Sequence, residues 1–163
     1  MSNPDDPFAH AVHTAHVWLR RITDDLATED RAFAYRVTRA WLHTVRDRLE
    51  VAGAAHLSAQ LPALLRGIFF EGWVPAKVPV SHSVPEFLQQ FAAEAGVTED
   101  EATGLAWLVT DALRDLCSPG QLDQIAAVFP EDLRNLLFGV NTGPFDEDVD
   151  EAAVNNRKPF RAP

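Results

Sequence analysis

Three histidines, His10, His13 and His16, stand three residues apart near the N-terminus, with Asp6 four positions before the first. In a helix, Asp6, His10 and His13 fall within about 60° of one face. Imidazole and carboxylate at i, i+3, i+4 and i+7 are donors that a transition metal accepts. A closed zinc site needs a third or fourth ligand from elsewhere. His43, His56 and His82 are the other histidines, and no spacing singles out one of them. The competing reading is an exposed polar stripe at a helix end. Asp6, His10 and His13 are therefore a candidate metal group without its closing ligand.

A second set is cationic. Arg36, Arg39, His43 and Arg46 project from one face of a second helix, with Arg20, Arg21 and Arg31 in adjoining segments. Guanidinium forks suit phosphate or carboxylate. Asp47 and Glu50 share that face and reach His43 and Arg46 at i, i+4. The stripe is thus partly self-neutralised, as a solvated helix back usually is.

Other chemistry finds little support. Cys117 follows an apolar helix, whose C-terminal partial charge disfavours a thiolate, so a buried inert thiol is expected. A lone cysteine forms no internal disulfide and fits a reducing compartment. The sequence contains no G-x-S-x-G elbow, no P-loop, no G-x-G-x-x-G and no paired Glu-x-x-His segments. No catalytic constellation is legible and no cofactor is implied. Asp146, Asp148 and Asp150 echo the first half of a calcium loop, without its glycine or its distal glutamate. A flexible acidic tail is the stronger reading there.

The elements that must carry these side chains are helical. Phe33, Val37, Trp41, Val45 and Leu49 step by four, with the arginine stripe opposite, which predicts a core-facing helix with a wet back. Leu105, Leu108, Val109, Ala112, Leu113 and Leu116 repeat the pattern. Asp6-Pro7, Thr28-Glu29-Asp30 and the capping boxes that open at Ser83, Thr98 and Ser118 mark helix starts. No stretch alternates with period two. The spacing predicts helices near 7–26, 29–50, 54–61, 62–71, 85–95, 99–117, 119–129 and 130–138.

The two halves resemble each other. Leu61-Pro62-Ala63-Leu64-Leu65-Arg66 aligns with Phe129-Pro130-Glu131-Asp132-Leu133-Arg134, and Arg46-Asp47 with Arg114-Asp115. A shift two residues longer superposes Thr28-Glu29-Asp30 on Thr98-Glu99-Asp100. The expected fold is all-α: a pseudo-symmetric bundle of about eight helices in two repeats, over 7–71 and 84–139. Together, residues 1–139 form one domain. Pro62 and Pro130 mark an elbow in each repeat. Residues 72–83 form the linker, in which Trp73 packs across the repeat junction. Residues 140–163 form an acidic, disordered tail.

Leu61 to Trp73 reads L-P-x-L-L-R-G-x-F-x-E-G-W and resembles the middle of a bacterial domain-of-unknown-function family, number 2267. The run from Ser118 to Arg134 is similar to that family's second repeat, with Phe129 where leucine is commoner. The resemblance spans roughly Phe8 to Phe138. It implies a compact helical fold and carries over no activity and no site residues.

Composition fits a globular chain: 163 residues, 47% hydrophobic and 23% charged, with a net charge of −10. The charge is uneven. Residues 1–70 hold eight arginines against eight acids, whereas residues 71–139 hold three basic groups against eleven acids. That balance disfavours a broad nucleic-acid surface. No secretory leader is visible and no apolar run is long enough to span a bilayer, so a cytoplasmic location and no membrane partner are expected. The expected function is a non-enzymatic protein-interaction module with a protein partner, for which a homodimer is one form. The alternative is an anion- or nucleic-acid-binding regulatory protein that uses Arg36, Arg39, His43 and Arg46.

Overall fold

Thr98 starts its helix as its sequence asks: its hydroxyl accepts from the Glu101 N–H, and the Glu101 carboxylate accepts from the Thr98 N–H at 2.9 Å. That reciprocal pair satisfies two donors which a helix otherwise leaves orphaned. Asp30 caps the second helix by accepting from Phe33, and so stands just outside the first turn. Ser83 accepts from Glu86 in the same way. Ser118 behaves otherwise. Gly120 at φ +80 turns the chain, its helix begins at Gln121, and the Ser118 N–H goes to the Gln60 side chain. The glycine takes a left-handed turn that disfavours other residues.

The computed structural model describes residues 5–139. Among them are eight α-helices and no strand: α1 Ala9–Asp25, α2 Arg31–Asp47, α3 Val51–Ser58, α4 Ala63–Phe70, α5 Val84–Ala95, α6 Glu99–Leu116, α7 Gln121–Ala127 and α8 Glu131–Phe138. All eight expected helices are present, six of them trimmed by one to three residues at their ends, while α3 lies three residues earlier than expected and α5 starts one residue earlier. The linker adds a short 3-10 turn, Pro75–Lys77. The acidic tail, with Asp146, Asp148 and Asp150, lies outside the described residues.

Helix α2 is the hub. It packs against α1, α4, α5 and α6, while α6 packs against α1, α5 and α8. The core runs through both halves, from Ile22, Trp41 and Phe69 to Phe87, Phe91, Leu133 and Leu137. Where α2 crosses α6, the Trp41 indole N–H donates to the buried Thr110 hydroxyl at 2.8 Å. Pairings recur across the halves: α1 with α2 and α5 with α6, α2 with α4 and α6 with α8, α1 with α4 and α5 with α8. Pro62 and Pro130 are both N-caps with extended backbone, at ψ 157 and 156. Each stands one position outside its helix, and its carbonyl accepts the first helical bond, from Arg66 and Arg134.

One expectation is overturned. The back of α2 is wet only in its first half, where Arg36 is exposed; Ala40 to Arg46, seven consecutive residues, are all buried. Seven residues make about two turns, so no side of that stretch reaches solvent. His43 and Arg46 there face α5 and the end of α4, whose acceptors make their burial tolerable, while the Thr44 hydroxyl is buried without a partner.

Candidate functional site

The α2 cations bond mostly to the ends of neighbouring helices. Arg46 is 4% exposed; it donates to the Phe69 and Glu71 carbonyls, both at 2.7 Å, and to the Asp47 carboxylate at 2.8 Å. His43 is equally buried, with Nε2 2.7 Å from the Ile68 carbonyl and Nδ1 2.9 Å from Glu94. Each ring nitrogen thus faces an oxygen, the Ile68 carbonyl on one side and the Glu94 carboxylate on the other. Arg36 donates to the Ala95 carbonyl at the end of α5, and Arg39 to Glu71. Carbonyls at a helix C-terminus lack intrahelical donors, and a cation there also meets the favourable end of the dipole.

The expected stripe therefore splits. Arg36 and Arg39 reach solvent and are partnered, while His43 and Arg46 are enclosed. The expected i, i+4 pairings give way to Arg46 with Asp47 and His43 with Glu94. Burial alone would push the Glu94 carboxyl up. Hydrogen bonds from His43 and Gln90, with the charges of His43 and Arg39, outweigh it and hold the carboxyl below its ordinary range.

The histidines of α1 lie elsewhere. His10, His13 and His16 are exposed on α1, and Asp6 accepts from the Phe8 N–H just ahead of it. Among the described residues no group of three or more His, Cys, Asp and Glu is placed to hold a metal ion. Cys117 is buried, and burial pushes its thiol up to about 11. Trp73 packs its ring on Phe70 at 5.1 Å, and its indole N–H is buried without an acceptor.

Sequence reasoning missed an apolar concavity. Between α1, α2 and α4 lies a pocket of about 200 Å³, walled by Val12, Ala15, Leu19, Leu42, Leu65 and Ile68. Tyr35 of α2 and Leu64 of α4 also line it. Three of its apolar side chains stay in water: Val12 and Tyr35 at 40% exposure and Leu64 at 45%. Phe8, one turn before Val12, is exposed too. Apolar groups left in water around a concave site mark a place where something binds.

Beside it, His13, His16, Leu19, Arg20 and Arg31 line a polar cleft of about 270 Å³. Arg20 near the end of α1 and Arg31 at the start of α2 both line this cleft. The sequence signal was there, since both arginines adjoin the stripe, but their sharing one cleft depends on how α1 folds back on α2. The arrangement offers an apolar socket and a cationic shelf; it can hold a group of mixed character.

No helix among the described residues is long and apolar enough to cross a membrane. No curated protein matches the chain. The model of a family described as an uncharacterized conserved protein (DUF2267) matches residues 15–136, a span from the middle of α1 to α8.

Proposed function

This chain belongs to the DUF2267 family, and on that premise we propose that it is a non-enzymatic helical interaction module. Its docking site is the pocket between α1, α2 and α4, and its occupant a bulky apolar side chain from a helix of a protein partner. The exposed apolar rim of Val12, Tyr35 and Leu64 carries this reading. Helix-in-groove recognition uses such anchors, and one buried anchor commonly supplies much of the affinity. The recurring helix pairings support two repeats within one domain over residues 1–139. The pocket uses the first repeat.

Charge complementarity favours a partner that is acidic beside its anchor, because Arg20 and Arg31 line the adjoining cleft without carboxylate partners among the described residues. A homodimer through this face is disfavoured, since an isologous contact brings each patch against its twin. The four-residue anion site on α2 is the weaker alternative, with two of its members enclosed. Duplex nucleic acid fits poorly, because a chain of net charge −10 lacks the broad positive field it needs.

The test compares proteins captured from the native lysate by the wild type, by Leu64→Glu and by Val128→Glu, a distant control at an exposed apolar position. A protein retained by the wild type and the control but lost by Leu64→Glu supports the reading. Identical capture by all three, or a wild-type dimer that Leu64→Glu dissociates, overturns it.

A further inference from the structure

The apolar pocket and the polar cleft are neighbours, because His16 and Leu19 line both. Six of the eight arginines in residues 1–70 are committed: Arg21 to Asp25 and Asp115, Arg39 to Glu71, and Arg36, Arg46, Arg48 and Arg66 to backbone carbonyls among their partners. Arg20 and Arg31 are the two that bond nothing among the described residues, and both line this cleft. Two uncommitted guanidinium groups beside a socket with almost no polar wall are matched by one kind of small molecule.

We infer that the site binds a small amphipathic oxyanion, with its alkyl chain in the pocket and its head group in the cleft lined by Arg20 and Arg31. Guanidinium forks pair with carboxylate and phosphate alike, so the shared requirement is an anionic oxygen head. Chain length follows from volume. A cavity of about 150 Å³ accepts benzene, so a pocket of about 200 Å³ accepts a chain of about six to eight carbons. The inference rests on the docking reading in that both use one pocket. A bound ligand takes the place of the partner's side chain and releases the partner, which makes the interaction responsive to a small acid.

The experiment titrates octanoate, octyl phosphate and the neutral control 1-octanol into the full chain, following the methyl signals of Val12, Leu64 and Ile68 by NMR. The expected result is saturable binding of at least one acid, at least tenfold tighter than the alcohol. In the variant Arg20→Gln with Arg31→Gln that advantage falls to near unity, while the alcohol is unaffected. Shortening the better acid from eight carbons to six weakens it about fourfold per methylene. The tighter of the two acids identifies the head group. Both arginines are exposed, so the variant should keep the wild-type melting temperature, and Arg20→Lys with Arg31→Lys retains part of the selectivity as a check on charge.

Equal binding of acid and alcohol, indifference to the arginine variant, or no saturable binding at those methyls overturns the inference. Each of these leaves the protein-docking reading intact, because the Leu64→Glu comparison needs no anion. Loss of the Leu64→Glu effect with anion binding preserved points the other way, to a ligand-binding protein without that partner.

Discussion

Replacing Arg46 with methionine should separate a structural cation from a surface one. Methionine keeps much of the aliphatic stem and removes every donor. The Phe69 carbonyl, in a buried hydrogen bond, and the partly buried Glu71 carbonyl would each lose a 2.7 Å partner. A buried polar group left unsatisfied costs about 1–3 kcal/mol. Asp47 would lose its cation too, although Gln90 still donates to it at 2.9 Å. The total comes to about 3–5 kcal/mol, the range for breaking one side of a buried pair. For a helical domain of this size that lowers the melting temperature by roughly 10–15 °C.

Arg39→Met is the control. Its side chain is 38% exposed and Glu71 opposite it is 51% exposed, so the pair contributes about 0–1 kcal/mol. Thermal unfolding followed by circular dichroism at pH 7 measures both variants. Melting temperatures within about 3 °C of each other would refute the claim that Arg46 holds α4 to α2.

Two further outcomes follow from groups whose titration the fold alters. The Glu94 carboxyl is held below its ordinary value of 4.5, so its contribution to stability is complete above that value and is lost as pH falls through the lower, folded-state value. Glu94→Gln should therefore lower the melting temperature at pH 7, with the gap to wild type closing in strong acid; a gap constant from pH 7 to pH 3 rejects this linkage. Cys117, buried and with its thiol pushed up to about 11, should react with iodoacetamide at pH 8 far more slowly in the native protein than in urea, by roughly a hundredfold or more. Comparable rates, read by mass spectrometry, would show an accessible thiol.

The helices were legible because their signals are local. A stripe stepping by four from Phe33 to Leu49 and a capping box at Thr98 need only a few neighbouring residues to be read. Ser118 misled because the Pro119-Gly120 pair turns the chain before the helix can start. The polar face of α2 misled for another reason. Periodicity sorts residues into apolar and polar, and polar is taken as solvent-facing, yet His43 and Arg46 find acceptors on backbone 23 or more residues away, at Ile68, Phe69 and Glu71. Backbone carbonyls are present at every position and leave no letter to read. Glu94 pairs with His43 across 51 residues of sequence, beyond any i, i+4 rule. The pocket was invisible for a related reason: it depends on the small Ala15 lying opposite Leu42 and Ile68 from two other helices, and spacing along one chain encodes no distance between elements.

Main-chain acceptors for Arg46 and His43 also shape how this region can change over generations. Amino-acid substitution at 68, 69 or 71 leaves the carbonyl in place, so the grip asks nothing of the side chains there, although the core holds Phe69 and Arg39 holds Glu71 for other reasons. The reverse is not true. Because two of the three acceptors of Arg46 are main-chain carbonyls, a charge swap at Asp47 would repair only part of a lesion at Arg46, and suppressors of the rest would have to arise through new packing or a new donor. Helix α2 is thus the inflexible member of a lock whose other half depends on where the main chain lies rather than on side-chain identity.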